Sequence, residues 1–279
     1  MMDVKMVVCD LDGSLLNHNN QLSSYSISVI KKLLTKGYIF VIATGRNYYS
    51  SKQMIDILNL NNYNSYFIGS NGQQLFNFKE QLMEKERLIN ENQGQMIRSL
   101  LAKNKVNTFI FSDHKMYCSV NIFFKIGVKF RFLLDRINRA ISDVGAANYV
   151  NVSSQAKIAG PLNKICFLTT NKGKAAKIKS ALANDFDIVC LKDIWYEIMP
   201  KGINKGLMLK KIMVREKINK DQVMVFGDGE NDISMMELVK HSYAMENAMD
   251  SVKKVCNYQV TSNKNDGIAK FLAQNLLND

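Results

Sequence analysis

Cys9-Asp10-Leu11-Asp12-Gly13-Ser14 follows directly on Met6-Val7-Val8, and how this stretch is read decides the fold. Lys5–Cys9 is a β-branched, apolar run of strand length. Such runs belong in the interior of a parallel sheet covered on both sides. Ligands of parallel sheets bind beyond the carboxyl ends of the strands, so Asp10 and Asp12 are expected to project into a crevice there. Residues two apart in extended chain face the same way, which would bring the two carboxylates together. Their repulsion is relieved by a divalent cation or a shared proton. Gly13 lets the chain turn away sharply. The hexapeptide also fits a solvated turn that caps a strand.

The same grammar continues outward. Ser24–Lys36 places Ile27, Ile30, Leu33 and Leu34 on one helical face and stops at Gly37. Tyr38–Ala43 reads as a strand, Tyr49–Leu60 as a helix and Tyr66–Gly69 as a short strand. Near the other end, Lys205–Glu216 reads as a helix, Gln222–Phe226 as a strand and Asp232–Lys240 as a helix. Short strands are expected near Tyr243 and Tyr258, and a closing helix from Gly267 to Leu277. The middle differs. Phe109–Phe111 and Met116–Val120 flank a turn at Asp113-His114 and predict an antiparallel hairpin. Val128–Val144 and Lys174–Ala183 read as helices, Lys164–Leu168 and Asp187–Leu191 as strands. The expected fold is therefore α/β, with a Rossmann-like parallel-sheet core over residues 1–85 and 195–279 and an α+β domain inserted at 86–194.

A chain of 279 residues, 47% hydrophobic and 22% charged, has an ordinary globular composition, which excludes a disordered chain. No uninterrupted apolar stretch is long enough to span a bilayer, and the first strand runs straight into acidic residues rather than a cleavable leader. The cytoplasm is the expected location. Five scattered cysteines without a CxxC pair, with only three histidines, argue against structural zinc. The net charge of +12 suits anionic ligands. It also leaves room for a nucleic-acid binder built on Phe123, Phe124, Lys125, Lys129, Phe130, Arg131 and Phe132. Packing with basic ends at the surface is the preferred reading of that segment.

Three further motifs sit near strand ends. Phe226-Gly227-Asp228-Gly229-Glu230-Asn231-Asp232 combines small glycines with carboxylates, the makings of an oxygen-rich site for a hard cation. A calcium loop counted from Asp228 fails, because Ile233 stands where glycine is needed and Val239 where glutamate is needed. An acidic helix N-terminus explains Asp232 but not the paired glycines. Ala43-Thr44-Gly45-Arg46 offers a hydroxyl and a backbone amide near a helix start, either a phosphate cradle or a plain strand-to-helix turn. Lys205 begins a helix, where a cation is mildly disfavoured, which hints at a task. Among 37 lysines and arginines it also passes for surface.

Taken together, the carboxylate pair, Thr44, Lys205 and the Gly-Asp loop resemble the haloacid dehalogenase-like (HAD) hydrolase superfamily, and most closely its Cof-type phosphatases with a large α+β cap. Ser70-Asn71-Gly72 and Asn247-Ala248 extend the resemblance across the core, while the cap carries it by position and element order alone. The resemblance implies a magnesium-dependent phosphatase of small phosphate monoesters, such as sugar phosphates or phosphorylated cofactors. A phosphomutase or phosphotransferase on the same scaffold is the alternative. It implies Asp10 as nucleophile and Asp12 as the acid and then the base. Leu11, Thr44, Gly45, Lys205 and Asn231 would hold the phosphoryl oxygens. Magnesium would lie on Asp10, the Asp12 carbonyl and Asp228, with Asp232 close by. Ser14 stands where the family often has threonine. The expected partner is a small phosphorylated metabolite rather than a membrane or nucleic acid.

Overall fold

The computed structural model describes residues 3–112, 115–119, 149–153, 156–191 and 194–277. Its strands are β1 (Met6–Cys9), β2 (Ile39–Ala43), β3 (Ser65–Gly69), β4 (Gln74–Asn77), β5 (Leu82–Lys85), β6 (Asn107–Phe111) and β7 (Met116–Ser119). They continue as β8 (Tyr149–Asn151), β9 (Lys164–Leu168), β10 (Phe186–Leu191), β11 (Trp195–Pro200), β12 (Val223–Gly227), β13 (His241–Met245) and β14 (Tyr258–Val260). The chain separates into two compact units, one of Met1–Glu86 with Asn204–Asp279 and one of Arg87–Ile203.

The first unit holds an eight-stranded sheet in the order β14-β13-β12-β1-β2-β3-β4-β5. From β14 to β3 every neighbouring pair is parallel. The edge hairpin β4–β5 is antiparallel, an addition that the purely parallel reading omitted. All four residues of β1 and all five of β2, β3 and β12 are buried, as strands covered on both faces must be. The Ser24–Thr35 helix is capped by the Ser23 side chain, which accepts from the Ser26 amide, and it buries Val29, Ile30, Leu33 and Leu34 at three- and four-residue spacing.

One element is shorter than its periodicity suggested. In place of a helix over Asp232–Lys240 the chain makes a 3-10 turn at Glu230–Asp232 and one helical turn at Ile233–Met236. The Leu238 and Val239 amides then bond three residues back, and the Lys240 amide donates to the Lys220 carbonyl at 3.1 Å, which delivers the chain into β13.

The second unit has a six-stranded sheet in the order β10-β11-β9-β6-β7-β8, antiparallel apart from the parallel β7–β8 pair. The expected hairpin is present as β6–β7. Its turn at Asp113-His114, the expected helix Val128–Val144 and the basic aromatic segment 123–132 lie outside the described residues. Ile97, Leu101, Ile178 and Leu182, from the helices Glu91–Lys103 and Lys172–Leu182, pack with Ile110, Ile165, Phe167 and Ile198 of the sheet.

Candidate active site

The strand order of the first unit places the site. From β1 the chain steps outward one way through β2 and β3, and later in the other direction through β12, β13 and β14. The order reverses between β1 and β12, the point at which two loops part and leave a crevice beyond the strand ends. Cys9 is in register with Phe226, so Asp10 and Asp228 emerge on either side of that reversal.

Asp10 is 4% exposed and Lys205 is wholly buried. Lys205 Nζ donates to Asp10 Oδ1 at 2.8 Å and to Asp232 Oδ1 at 2.7 Å. The Lys205 backbone is fixed by the Asn204 cap, whose Oδ1 accepts from the Leu207 amide at 2.8 Å. Asp232 Oδ2 accepts from the amides of Asp228 and Gly229, each at 3.0 Å, so this carboxylate shapes the loop as well as pairing the lysine. Ser14 Oγ donates to Asp228 Oδ1 at 3.1 Å. No described residue hydrogen-bonds the second Asp10 oxygen.

Burial pushes the Asp10 carboxyl well above the usual carboxylate range. Lys205 pulls it back, while Asp232, Asp228 and Asp12 push it further up. Burial also works against the Lys205 charge, yet Asp10 and Asp232 outweigh it and hold the ammonium above its ordinary value. Burial, assisted by Asp10, raises the neighbouring Cys9 thiol well above its ordinary value, which removes it as a nucleophile near neutrality.

Asp10, Asp228 and Asp232 present three carboxylate oxygens within 4.8 Å of one another. The Lys205 ammonium pairs two of them, and an all-oxygen donor set of this kind suits a hard divalent cation such as magnesium. Gly13 is integral to this geometry. Its φ is +87°, and a Cβ there would stand 2.3 Å from Asp228 Oδ2.

Asp12 departs from the side-by-side arrangement with Asp10. The chain does not stay extended after Asp10 but winds through a wide turn at Leu11–Leu15. The Asp12 carboxylate turns to Arg46, with Nε to Oδ2 at 2.8 Å and Nη2 to Oδ1 at 2.5 Å. Its charge still reaches Asp10, as the weakest of the influences there. Arg46 was visible in the Thr44-Gly45-Arg46 turn, but only the folded chain pairs it with Asp12.

Thr44 is buried at the end of β2, and its Oγ1 accepts from the Arg46 amide at 3.1 Å. Leu11 and Gly45 lie in the turns that follow β1 and β2. Asn231, half-buried, donates from Nδ2 to Asn71 Oδ1 at 2.9 Å. Asn247 Nδ2 donates to the Gly13 carbonyl at 2.8 Å and ties the last loops to the first.

Among the described residues no helix is long and apolar enough to cross a membrane. The sequence profile of the haloacid dehalogenase-like hydrolases matches residues 7–272. A protein of Buchnera aphidicola subsp. Schizaphis graminum that carries a provisional phosphatase name is 29% identical, over 98% of this chain and 96% of its own. The 5-amino-6-(5-phospho-D-ribitylamino)uracil phosphatase YcsE of Bacillus subtilis is 27% identical, over 97% of this chain and 95% of its own. Two solved structures share the fold. A haloacid dehalogenase-like hydrolase of B. subtilis superposes with a TM-score of 0.80 at 21% identity, over 98% of this chain and 100% of its own. A HAD subclass IIB sugar phosphatase does so with a TM-score of 0.77 at 20% identity, over 97% and 98%. With a profile that spans nearly all of its length, the chain belongs to the haloacid dehalogenase-like hydrolase family, in its Cof-type branch, and is a phosphoric monoester hydrolase.

Proposed function

We propose that the protein is a magnesium-dependent phosphatase of small phosphate monoesters, acting in the cytoplasm through a phosphoaspartate at Asp10. The observation that carries this reading is the buried Asp10–Lys205–Asp232 arrangement beside Asp228 at the strand-order reversal. The phosphatase names of the full-length relatives support it.

Asp10 attacks phosphorus in line with the ester oxygen. A carboxylate–phosphorus bond forms, the phosphorus–oxygen bond to the leaving group breaks, and Asp12 gives that oxygen its proton. Asp12, now ionised, takes a proton from water as the water attacks phosphorus, which releases phosphate and restores Asp10. Lys205 holds one Asp10 oxygen so that the other meets phosphorus, and its charge offsets the approach of an anionic carboxylate to an anionic ester. The Leu11 and Gly45 amides, the Thr44 hydroxyl and the Asn231 amide group are assigned to the remaining phosphoryl oxygens. Magnesium, when bound by Asp10, the Asp12 carbonyl and Asp228 with Asp232 in support, neutralises phosphoryl charge. The unit inserted between the two halves of the core, Arg87–Ile203, is assigned the choice of leaving group.

Phosphate release from a panel of phosphorylated metabolites, phosphopeptides and phosphorylated oligonucleotides tests this reading. Turnover of small esters with magnesium is expected, partial turnover with manganese, inhibition by calcium and none after EDTA. Full activity after exhaustive EDTA treatment contradicts the metal assignment. A macromolecular substrate preferred by about tenfold, roughly 1.4 kcal/mol in transition-state binding, contradicts the substrate class. In the same assay Gly13→Ala is expected to cost about 100-fold in kcat/KM, because the added methyl displaces Asp228. It also raises the magnesium concentration needed for half-maximal rate. A wild-type magnesium response in Gly13→Ala contradicts the assignment of Asp228.

A further inference from the structure

Ser70, Asn71 and Gly72 follow β3 with φ values of 49°, 55° and 101°, three consecutive residues in the left-handed region. Side-chain-bearing residues enter that region reluctantly, and such conformations persist where the surroundings over-determine them. Here the surroundings are the proposed phosphate-binding elements. The Ser70 amide donates to the Arg46 carbonyl at 2.8 Å and the Asn71 amide to the Thr44 carbonyl at 3.1 Å, which zips this loop onto the Thr44–Arg46 turn. A Cβ on Gly72 would stand 2.2 Å from the Asn204 carbonyl oxygen, so the loop also seats the residue that caps the Lys205 helix.

Asn71 itself is 1% exposed. Its Oδ1 accepts from Asn231 Nδ2 at 2.9 Å and lies 3.2 Å from where a Cβ on Gly45 would be. One short loop thus touches the Thr44–Gly45 turn, the cap of Lys205 and Asn231. A turn needed for the fold alone would be made more easily by glycine at position 71, since glycine adopts this φ without strain. What glycine lacks is the side-chain oxygen on Asn231.

We infer that Asn71 is a positioning residue, which sets Asn231 and the Gly45 turn at the spacing that phosphoryl oxygens require. The inference rests on the phosphatase reading given above. Small displacements of positioning groups are costly in phosphoryl transfer, which works chiefly by placement and charge.

The test is a double-mutant cycle of Asn71→Gly, Asn231→Ala and the combined variant. It measures kcat and KM on p-nitrophenyl phosphate with magnesium, the affinity for inorganic phosphate by calorimetry, and Tm. Each single variant is expected to lose about 10- to 100-fold in kcat/KM, with weaker phosphate binding. The combined variant is expected to lose less than the product of the two single losses, because both remove the Asn71–Asn231 hydrogen bond. Asn71→Gly is expected to keep its Tm within about 3 °C of wild type. Multiplicative losses in the combined variant overturn the inference. So does wild-type kcat/KM in Asn71→Gly, or a fall in its Tm of more than about 8 °C, which assigns Asn71 to the fold. A wild-type protein that neither turns over the ester nor binds phosphate strikes the phosphatase reading itself. A failed cycle in an active wild type strikes Asn71 alone.

Discussion

Asp10→Asn is expected to fold normally and to lose at least about 10⁴-fold in kcat, the order seen when a covalent nucleophile is removed. The amide keeps an oxygen for Lys205, so the hydrogen bond at 2.8 Å survives, while the lone pair that attacks phosphorus does not. The substitution also removes one negative charge from a cluster that holds three carboxylates and one ammonium. Its Tm in the absence of metal is therefore expected to equal or exceed that of wild type. Circular dichroism with a sensitive phosphate-release assay checks both halves. A folded Asp10→Asn protein that retains near-wild-type turnover is incompatible with the mechanism.

Lys205→Met is expected to damage stability and activity together. The lysine is wholly buried between two carboxylates, and methionine fills its stem but leaves Asp10 and Asp232 facing each other unpaired. Breaking a buried ion pair by removing one partner costs about 3–5 kcal/mol, which for a domain of this size is a Tm lower by roughly 10 °C. The loss should be largest in EDTA and partly recovered by magnesium, since a cation then takes over the balance of charge. A fall of about 1,000-fold in kcat/KM accompanies it, the magnitude typical of losing a preorganised charge at the transition state. Equal denaturation midpoints for Lys205→Met and wild type in EDTA would show that the lysine stabilises neither carboxylate.

The parts of this fold that local sequence reveals are those governed by local rules. Met6–Cys9 and Ile39–Ala43 are apolar throughout because the sheet buries both of their faces, and Lys205 stood out because a helix start disfavours a cation. Elements whose buried residues are polar escaped that reading. β4 contains Gln74 and Asn77, both buried, so the edge hairpin carries no hydrophobic alternation. β11 has Glu197 at its centre, 3% exposed and paired with Lys164, and the Glu91–Lys103 helix buries Arg98 beside Ile97 and Leu101.

In the site the same division holds. The residue types and strand ends were legible, and the non-local pairings were not. Arg46 on Asp12 and Asn71 on Asn231 join residues 34 and 160 positions apart. The reading that set Asp12 beside Asp10 did not foresee Arg46, which holds the Asp12 carboxylate from the turn after β2.

The central claim is that the phosphoryl group passes through Asp10. Acid-quenched single turnover of a ³²P-labelled phosphate monoester with magnesium, followed by peptide mapping, tests it most directly. Transient label is predicted on the peptide that contains Asp10, rising before free phosphate appears, and absent in Asp10→Asn. Phosphate released at the full rate with no label on the protein at any time, or label carried on another residue, would contradict it.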